Sequence, residues 1–283
     1  MNRTGGGGGR SAGGVNSLAR RSFLRLAAWA FAAPATVACR GRRAGKEGAM
    51  TQGQAAGDEK SARRGRLRAR PSVAAEDAPK GPQALPAEGA RDALLYVPKG
   101  YRHDAPAPLA LMLHGAGGAA EHGLTLLQRF ADESNLIVVA PQSAAGTWDA
   151  IRGGFGPDAL AIDRLLGQVF ARYTVDAGRV AVGGFSDGAS YALGLGLTNG
   201  DLFTHVLAFS PGFVARADPQ GGRPILFVSH GTRDRVLPIE RCSRRIVGQA
   251  REAGYVVRYH EFDGPHTVPE EIAREAVGWF VKK

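Results

Sequence analysis

Arg179-Val-Ala-Val-Gly-Gly-Phe-Ser-Asp-Gly-Ala-Ser-Tyr-Ala-Leu-Gly-Leu-Gly-Leu197 is the stretch that decides how this chain folds. Arg179 to Gly184 is a short apolar run with the character of a buried strand. Ala189, Tyr191, Ala192, Leu193, Leu195 and Leu197 continue as an apolar helical segment. Between them, Gly184-Phe-Ser186-Asp-Gly188 makes the reversal a tight turn. The two glycines let the chain bend without side-chain clashes, and the turn pushes Ser186 out at the strand's end. The Gly-x-Ser-x-Gly pattern alone means little, because 40 glycines in 283 residues give about a quarter of a chance match. The strand before it and the helix after it give it meaning.

Outward from this unit the chain alternates strand and helix. Apolar runs at 93–97, 109–113, 136–140, 180–183, 205–209, 225–229 and 256–262 read as strands, several of them continuous enough to be buried on both faces. Segments 158–173, 238–253 and 268–281 between them carry helical periodicity or length. This predicts a doubly wound α/β domain with a mostly parallel sheet and helices on both faces. Segment 210–224, between two of the strands, is too short for a large helical lid, so the site is expected to be open.

Three groups follow predicted strands: Ser186, Asp234 in His230-Gly-Thr-Arg-Asp234, and His266 in Gly264-Pro-His266. Ligands of open α/β sheets bind outside the carboxyl ends of strands, so the three are placed to converge. Serine, acid and histidine, in that chain order, make a nucleophile, an orienting carboxylate and a general base. A fourth strand end, Leu111-Met-Leu113, runs into His114-Gly-Ala-Gly-Gly118, a glycine-rich loop whose amides can face a substrate. The amides of Ala116 and Asp187 are the expected oxyanion-hole donors, with Gly115 as the upstream alternative.

These motifs resemble the phospholipase/carboxylesterase family of α/β-hydrolases, which includes acyl-protein thioesterases and short-chain carboxylesterases. The resemblance covers roughly residues 92–282 and rests on His114-Gly-Ala-Gly, Gly184-Phe-Ser-Asp-Gly, Phe209-Ser-Pro, His230 to Pro238 and Gly264-Pro-His266. It implies a single-domain α/β-hydrolase fold, nucleophile Ser186, acid Asp234, base His266 and no cofactor. Relatives commonly carry Gln where this chain has Asp187, whose carboxylate is expected to disfavour anionic substrates.

The chain carries a formal charge of +10, which would suit a nucleic-acid partner if it were spread over the fold. It is not: residues 1–80 hold 16 of the Lys and Arg and 5 of the Asp and Glu, leaving the remainder with 20 and 21. The basic run from Arg63 to Arg70 has no interleaved aromatic residues, so no nucleic-acid partner is expected. Residues 1–38, with Arg20-Arg21-Ser-Phe-Leu24 before a short apolar stretch, resemble a twin-arginine export signal behind a glycine-rich start. The stretch is shorter than the ~20 apolar residues of a spanning helix. Val37-Ala-Cys39 resembles the end of a lipoprotein signal, which would make Cys39 the lipidated, membrane-anchoring residue. Cleavage after Ala35 would instead release the protein, and translation from Met50 would leave it cytoplasmic. Residues 39–90 read as a disordered basic linker and 91–283 as the catalytic domain.

Cys39 and Cys242 are the only cysteines, so residues 81–283 have no internal disulfide. No Cys or His spacing suits a metal. His103, His122, His205 and His260 read as solvated or structural. The function expected is serine hydrolysis of short to medium acyl esters, on small molecules or on a polymer. Its competitors are an exported polyester or polysaccharide-ester esterase with the same triad and a non-catalytic binding protein on a hydrolase scaffold.

Overall fold

In the computed structural model, which describes residues 52–74, 76–86 and 92–282, β3 (Ala107–Leu113) and β5 (Val175–Phe185) lie side by side at the middle of an eight-stranded sheet. The other strands are β1 (Gly81–Leu85), β2 (Ala93–Val97), β4 (Ile137–Ala140), β6 (His205–Phe209), β7 (Ile225–Gly231) and β8 (Val257–Phe262), in the order β1-β2-β4-β3-β5-β6-β7-β8. The pairs from β4 to β8 are parallel, and β2 is antiparallel to both its neighbours.

Strand period two splits the apolar residues between two cores. Leu109, Leu111 and Leu113 face one side with Val180 and Val182, where α3 (Asp149–Arg152), α4 (Pro157–Arg172), α5 (Asp187–Thr198) and α6 (Ser243–Glu252) contribute. Ala110 and Met112 face the other with Ala181 and Leu207, covered by α2 (Ala120–Thr125), the 3-10 turn Gln128–Phe130 and α7 (Glu270–Phe280). Helix α4 starts at Pro157, tolerated because that N–H has no intrahelical partner. It buries Ala159, Ile162, Leu165, Leu166, Val169 and Phe170, one face of a 3.6-residue repeat. This is the α/β-hydrolase architecture expected, with helices on both faces and no helix between β6 and β7.

The sequence boundary between linker and domain needs correction. Within the stretch read as a disordered linker, 39–90, the structure has α1 (Gln52–Ala62) and β1, and the described residues form one compact unit. Residues 63–74 run past the carboxyl end of α5 and along α4, with Leu67 buried and its amide donating to Asn199 Oδ1 at 2.8 Å. Two of the basic residues are partnered by one acid on the domain: Arg66 makes a two-pronged bond to Asp201 at 3.0 and 3.1 Å, and Arg70 bonds the same carboxylate. The export-signal residues, Cys39 and Met50 lie outside the described residues. Among the described residues no helix is long and apolar enough to cross a membrane.

Candidate active site

Ser186 sits between the end of β5 and the first residue of α5, at φ 58° and ψ −119°. Its amide donates to the Phe209 carbonyl at 3.0 Å, and its carbonyl accepts the Ser190 amide at 3.0 Å. The flanking glycines are forced by close approach: a Cβ on Gly184 would lie 2.6 Å from the Leu113 carbonyl oxygen, and one on Gly188 2.4 Å from the same atom. The elbow is thus pressed against the end of β3.

His266 lies between β8 and α7, and Asp234 follows β7. His266 Nε2 is 2.9 Å from Ser186 Oγ, and His266 Nδ1 is 2.6 Å from Asp234 Oδ2. A carboxylate accepts only, so Nδ1 carries the imidazole proton and Nε2 is left to accept from the serine hydroxyl. The His266 ring leans on Phe185 at 4.5 Å between centroids. The three side chains read from the sequence therefore meet in one hydrogen-bonded chain.

Asp234 has no exposed side-chain surface. Burial alone would raise its carboxyl pKa, but the Leu237 amide, His266 and the Val236 amide outweigh it and hold the group below the usual carboxylate range. Its Oδ1 accepts those two amides at 2.8 and 2.9 Å. Its Oδ2 meets a second histidine, His230, at 3.1 Å through Nε2, which also donates to the Leu237 carbonyl at 2.8 Å. Burial lowers the His230 pKa, and its Nδ1 accepts from the Ser243 hydroxyl at 2.6 Å.

The glycine-rich loop after β3 abuts the serine: a Cβ on Gly115 would begin 3.4 Å from that of Ser186. Within the loop, the Gly117 amide is taken by the Gly146 carbonyl at 2.6 Å and the Gly118 amide by the Gly115 carbonyl at 3.0 Å. The Ala116 and Asp187 amides bond no acceptor among the described residues, Asp187 because the first turn of a helix has no intrahelical acceptor. The Asp187 carboxylate accepts from Thr147 Oγ1 at 2.7 Å. His114 is buried with a lowered pKa, donates from Nδ1 to the Gly115 carbonyl at 2.8 Å, and accepts the Ser143 amide at Nε2 at 3.2 Å.

Three contacts of this site escaped the sequence reading. His230 stood in a quoted motif, four residues before Asp234. Ser190, one helical turn after Ser186, donates to the Ser186 carbonyl and accepts the Gly212 amide, anchoring the loop after β6. Thr147 carries no local signal. A cavity of about 390 Å³ beside Thr147 is lined in part by Ala144, Asp149, Arg152 and Asp158. Phe213 and Val236, both exposed, stand on the loops after β6 and β7. Among the described residues, no cluster of three or more His, Cys, Asp or Glu is arranged to hold a metal.

A family model described as "Putative esterase" matches residues 87–235, a span that holds Ser186 and Asp234 and stops before His266. Feruloyl esterase B of Neurospora crassa is 26% identical over 161 residues, 53% of this chain and 51% of that one. A protein of Aspergillus terreus named "Probable feruloyl esterase C" is 29% identical over 158 residues, 53% of this chain and 57% of that one. The chain spans about half the length of these curated relatives. An S-formylglutathione hydrolase from Staphylococcus aureus shares the fold, with a TM-score of 0.59 over 72% of this chain and 100% of that one, at 14% identity.

Proposed function

The chain belongs to the Esterase family, and from that premise we propose that it is a serine carboxylic-ester hydrolase working through an acyl-enzyme on short to medium acyl esters. The observation that carries this reading is the unbroken chain Ser186 Oγ, His266, Asp234 at the carboxyl edge of the sheet. His266 Nε2 takes the Ser186 proton as Oγ attacks the ester carbonyl. The carbonyl oxygen becomes an oxyanion facing the Ala116 and Asp187 amides, each worth about 3–4 kcal/mol to the transition state. His266 then protonates the departing alcohol and activates the water that hydrolyses the acyl group. Asp234 stays ionised throughout because its pKa is lowered. The narrower kinship with phospholipase/carboxylesterase enzymes rests on the motifs quoted from the sequence.

A second reading, an esterase for aromatic acyl groups carried on a polymer, is favoured by the names of the two fungal relatives. The exposed Phe213 and Val236, on the loops after β6 and β7, would suit such an acyl group. Hydrolysis of p-nitrophenyl acetate, p-nitrophenyl butyrate and methyl ferulate by the full chain, with fluorophosphonate labelling, tests both readings. Ser186→Ala should abolish labelling and lower kcat by about 10⁴-fold or more. A higher kcat/KM for methyl ferulate than for the butyrate ester selects the aromatic reading. Folded wild type that neither labels nor turns over would leave the binding-protein alternative standing.

A further inference from the structure

Segment 144–149, from the loop after β4 to the first residue of α3, touches both chain segments that carry the proposed oxyanion donors. The Gly146 carbonyl accepts the Gly117 amide at 2.6 Å, one residue past Ala116. Thr147 Oγ1 donates to the Asp187 carboxylate at 2.7 Å. The Trp148 indole N–H donates to the His114 carbonyl at 2.9 Å, with its ring against that of His114 at 4.7 Å. The positions of the Ala116 and Asp187 amides are thus fixed from one side by a segment that has no regular structure before Asp149.

Two carboxylates close that segment. Asp158, in the first turn of α4 and buried, accepts the Ala144 amide on Oδ1 and the Asp149 amide on Oδ2, both at 2.8 Å, so that one side chain ties the two ends together. Asp149 returns the contact, its Oδ2 accepting the Asp158 amide at 2.8 Å. The pair is expensive. Burial and the neighbouring Asp158 charge raise the Asp149 pKa, and burial raises that of Asp158. The fully buried Tyr191 hydroxyl lies against Asp149 and partly offsets that cost, acting to lower the Asp149 pKa. Buried charge at a site of no consequence is readily replaced by apolar packing. Here it holds a segment whose other contacts reach the glycine-rich loop and Asp187.

We propose that Asp158, together with Asp149, is the positioning pair of the oxyanion hole, closing segment 144–149 so that Gly146, Thr147 and Trp148 set the Ala116 and Asp187 amides before the oxyanion forms. The inference rests on the serine-esterase reading. Oxyanion contacts strengthen in the transition state, so a loosened segment lowers kcat and leaves ground-state binding almost untouched. A displacement on the order of 1 Å can cost about a hundredfold.

The test uses the full chain as wild type, Asp158→Asn, Asp158→Ala, Thr147→Val and the Thr147→Val/Asp158→Asn double variant. It reads kcat and KM for p-nitrophenyl butyrate, affinity for an aryl trifluoromethyl ketone that forms a tetrahedral oxyanion on the serine, and Tm. Expected at a temperature well below each Tm are a fall in kcat of about tenfold to a hundredfold for the Asp158 variants, a parallel loss of ketone affinity and an unchanged KM. Thr147→Val, nearly isosteric, should lose about threefold to tenfold, and the double variant should lose less than the product of the singles. Wild-type kcat and ketone affinity in folded Asp158 variants, with only Tm lowered, would overturn the proposal. Should the Asp158 variants fail to fold, Thr147→Val decides, and wild-type kcat there overturns it as well. Absence of turnover in the wild type sinks the esterase reading and this one with it; turnover lost with Ser186→Ala but indifferent to Thr147 and Asp158 sinks this one alone.

Discussion

Ser186 occupies a backbone region that costs a residue with a side chain on the order of 1–3 kcal/mol. The contacts on either side hold it there: the Phe209 carbonyl on its amide, and the Ser190 amide and hydroxyl on its carbonyl. Gly188 decides whether the elbow can sit so close to β3, since a Cβ there would lie 2.4 Å from the Leu113 oxygen and 2.5 Å from that of His114. Gly188→Ala should therefore cost about 3 kcal/mol or more and reduce kcat with it. Gly248, inside α6 with no atom within 4 Å of its missing Cβ, is the matched control. Gly248→Ala should stabilise by about 0.5–1 kcal/mol and leave the rate alone. Urea midpoints and esterase rates of the two variants decide the matter; equal midpoints would remove the steric account of the elbow.

Between elements, the position of His266 depends on α7, which begins four residues later. An aromatic cluster ties α7 to the sheet: His205 on β6 meets Trp279 at 5.1 Å and Phe280 at 4.9 Å, and Phe227 on β7 meets Trp279 at 5.9 Å. Burial lowers the His205 pKa to about 4, against about 6.5 in an unfolded chain. Between those values the unfolded state binds more protons. The stability that His205 contributes is present above about pH 6.5 and is lost as pH falls through about 4. Tm should drop over that interval, and His205→Gln should flatten the drop; parallel Tm curves for the two proteins would show that other groups cause it. The strands of this cluster were legible from sequence because each is an apolar run, as was the placing of Ser186, Asp234 and His266 just beyond strand ends. Strand β1 was not, because Gly81-Pro-Gln-Ala-Leu85 is an edge strand with alternate residues outside, the one setting where proline is tolerated. Asp158 and Thr147 were not either. Their partners are backbone amides and a carboxylate 9 to 40 residues away, and no local pattern records such pairings.

Across the whole molecule, two arginines of the stretch that reads as a basic linker are bound to the fold. Asp201 takes Arg66 and Arg70, and the Arg66 guanidinium also caps α5 through the Thr198 carbonyl at 2.7 Å. Asp163 accepts the Arg68 and Ala69 amides at 2.6 and 2.8 Å, and Thr174 Oγ1 accepts that of Ala74 at 2.9 Å. The centre of the attachment is Asn199, fully buried. It accepts from Leu67 and donates to the Gly65 and Leu195 carbonyls at 2.7 and 2.9 Å. Asn199→Ala would leave the Leu67 amide and the Gly65 carbonyl buried and unpaired, a cost of about 1–3 kcal/mol. A chain starting at residue 76 loses these bonds and the burial of Leu67 together, and should be destabilised further. Asn199→Ala acts at the carboxyl end of α5, about 18 Å along a 12-residue helix from Ser186. Below its transition, Asn199→Ala should therefore keep kcat within about twofold of wild type while its urea midpoint falls. An unchanged midpoint on truncation at 76 would mean that residues 57–74 merely rest on the domain. A fall in kcat at full stability would instead mean that this strap reaches the elbow through α5, and the two halves of that helix could not then be treated as separate devices.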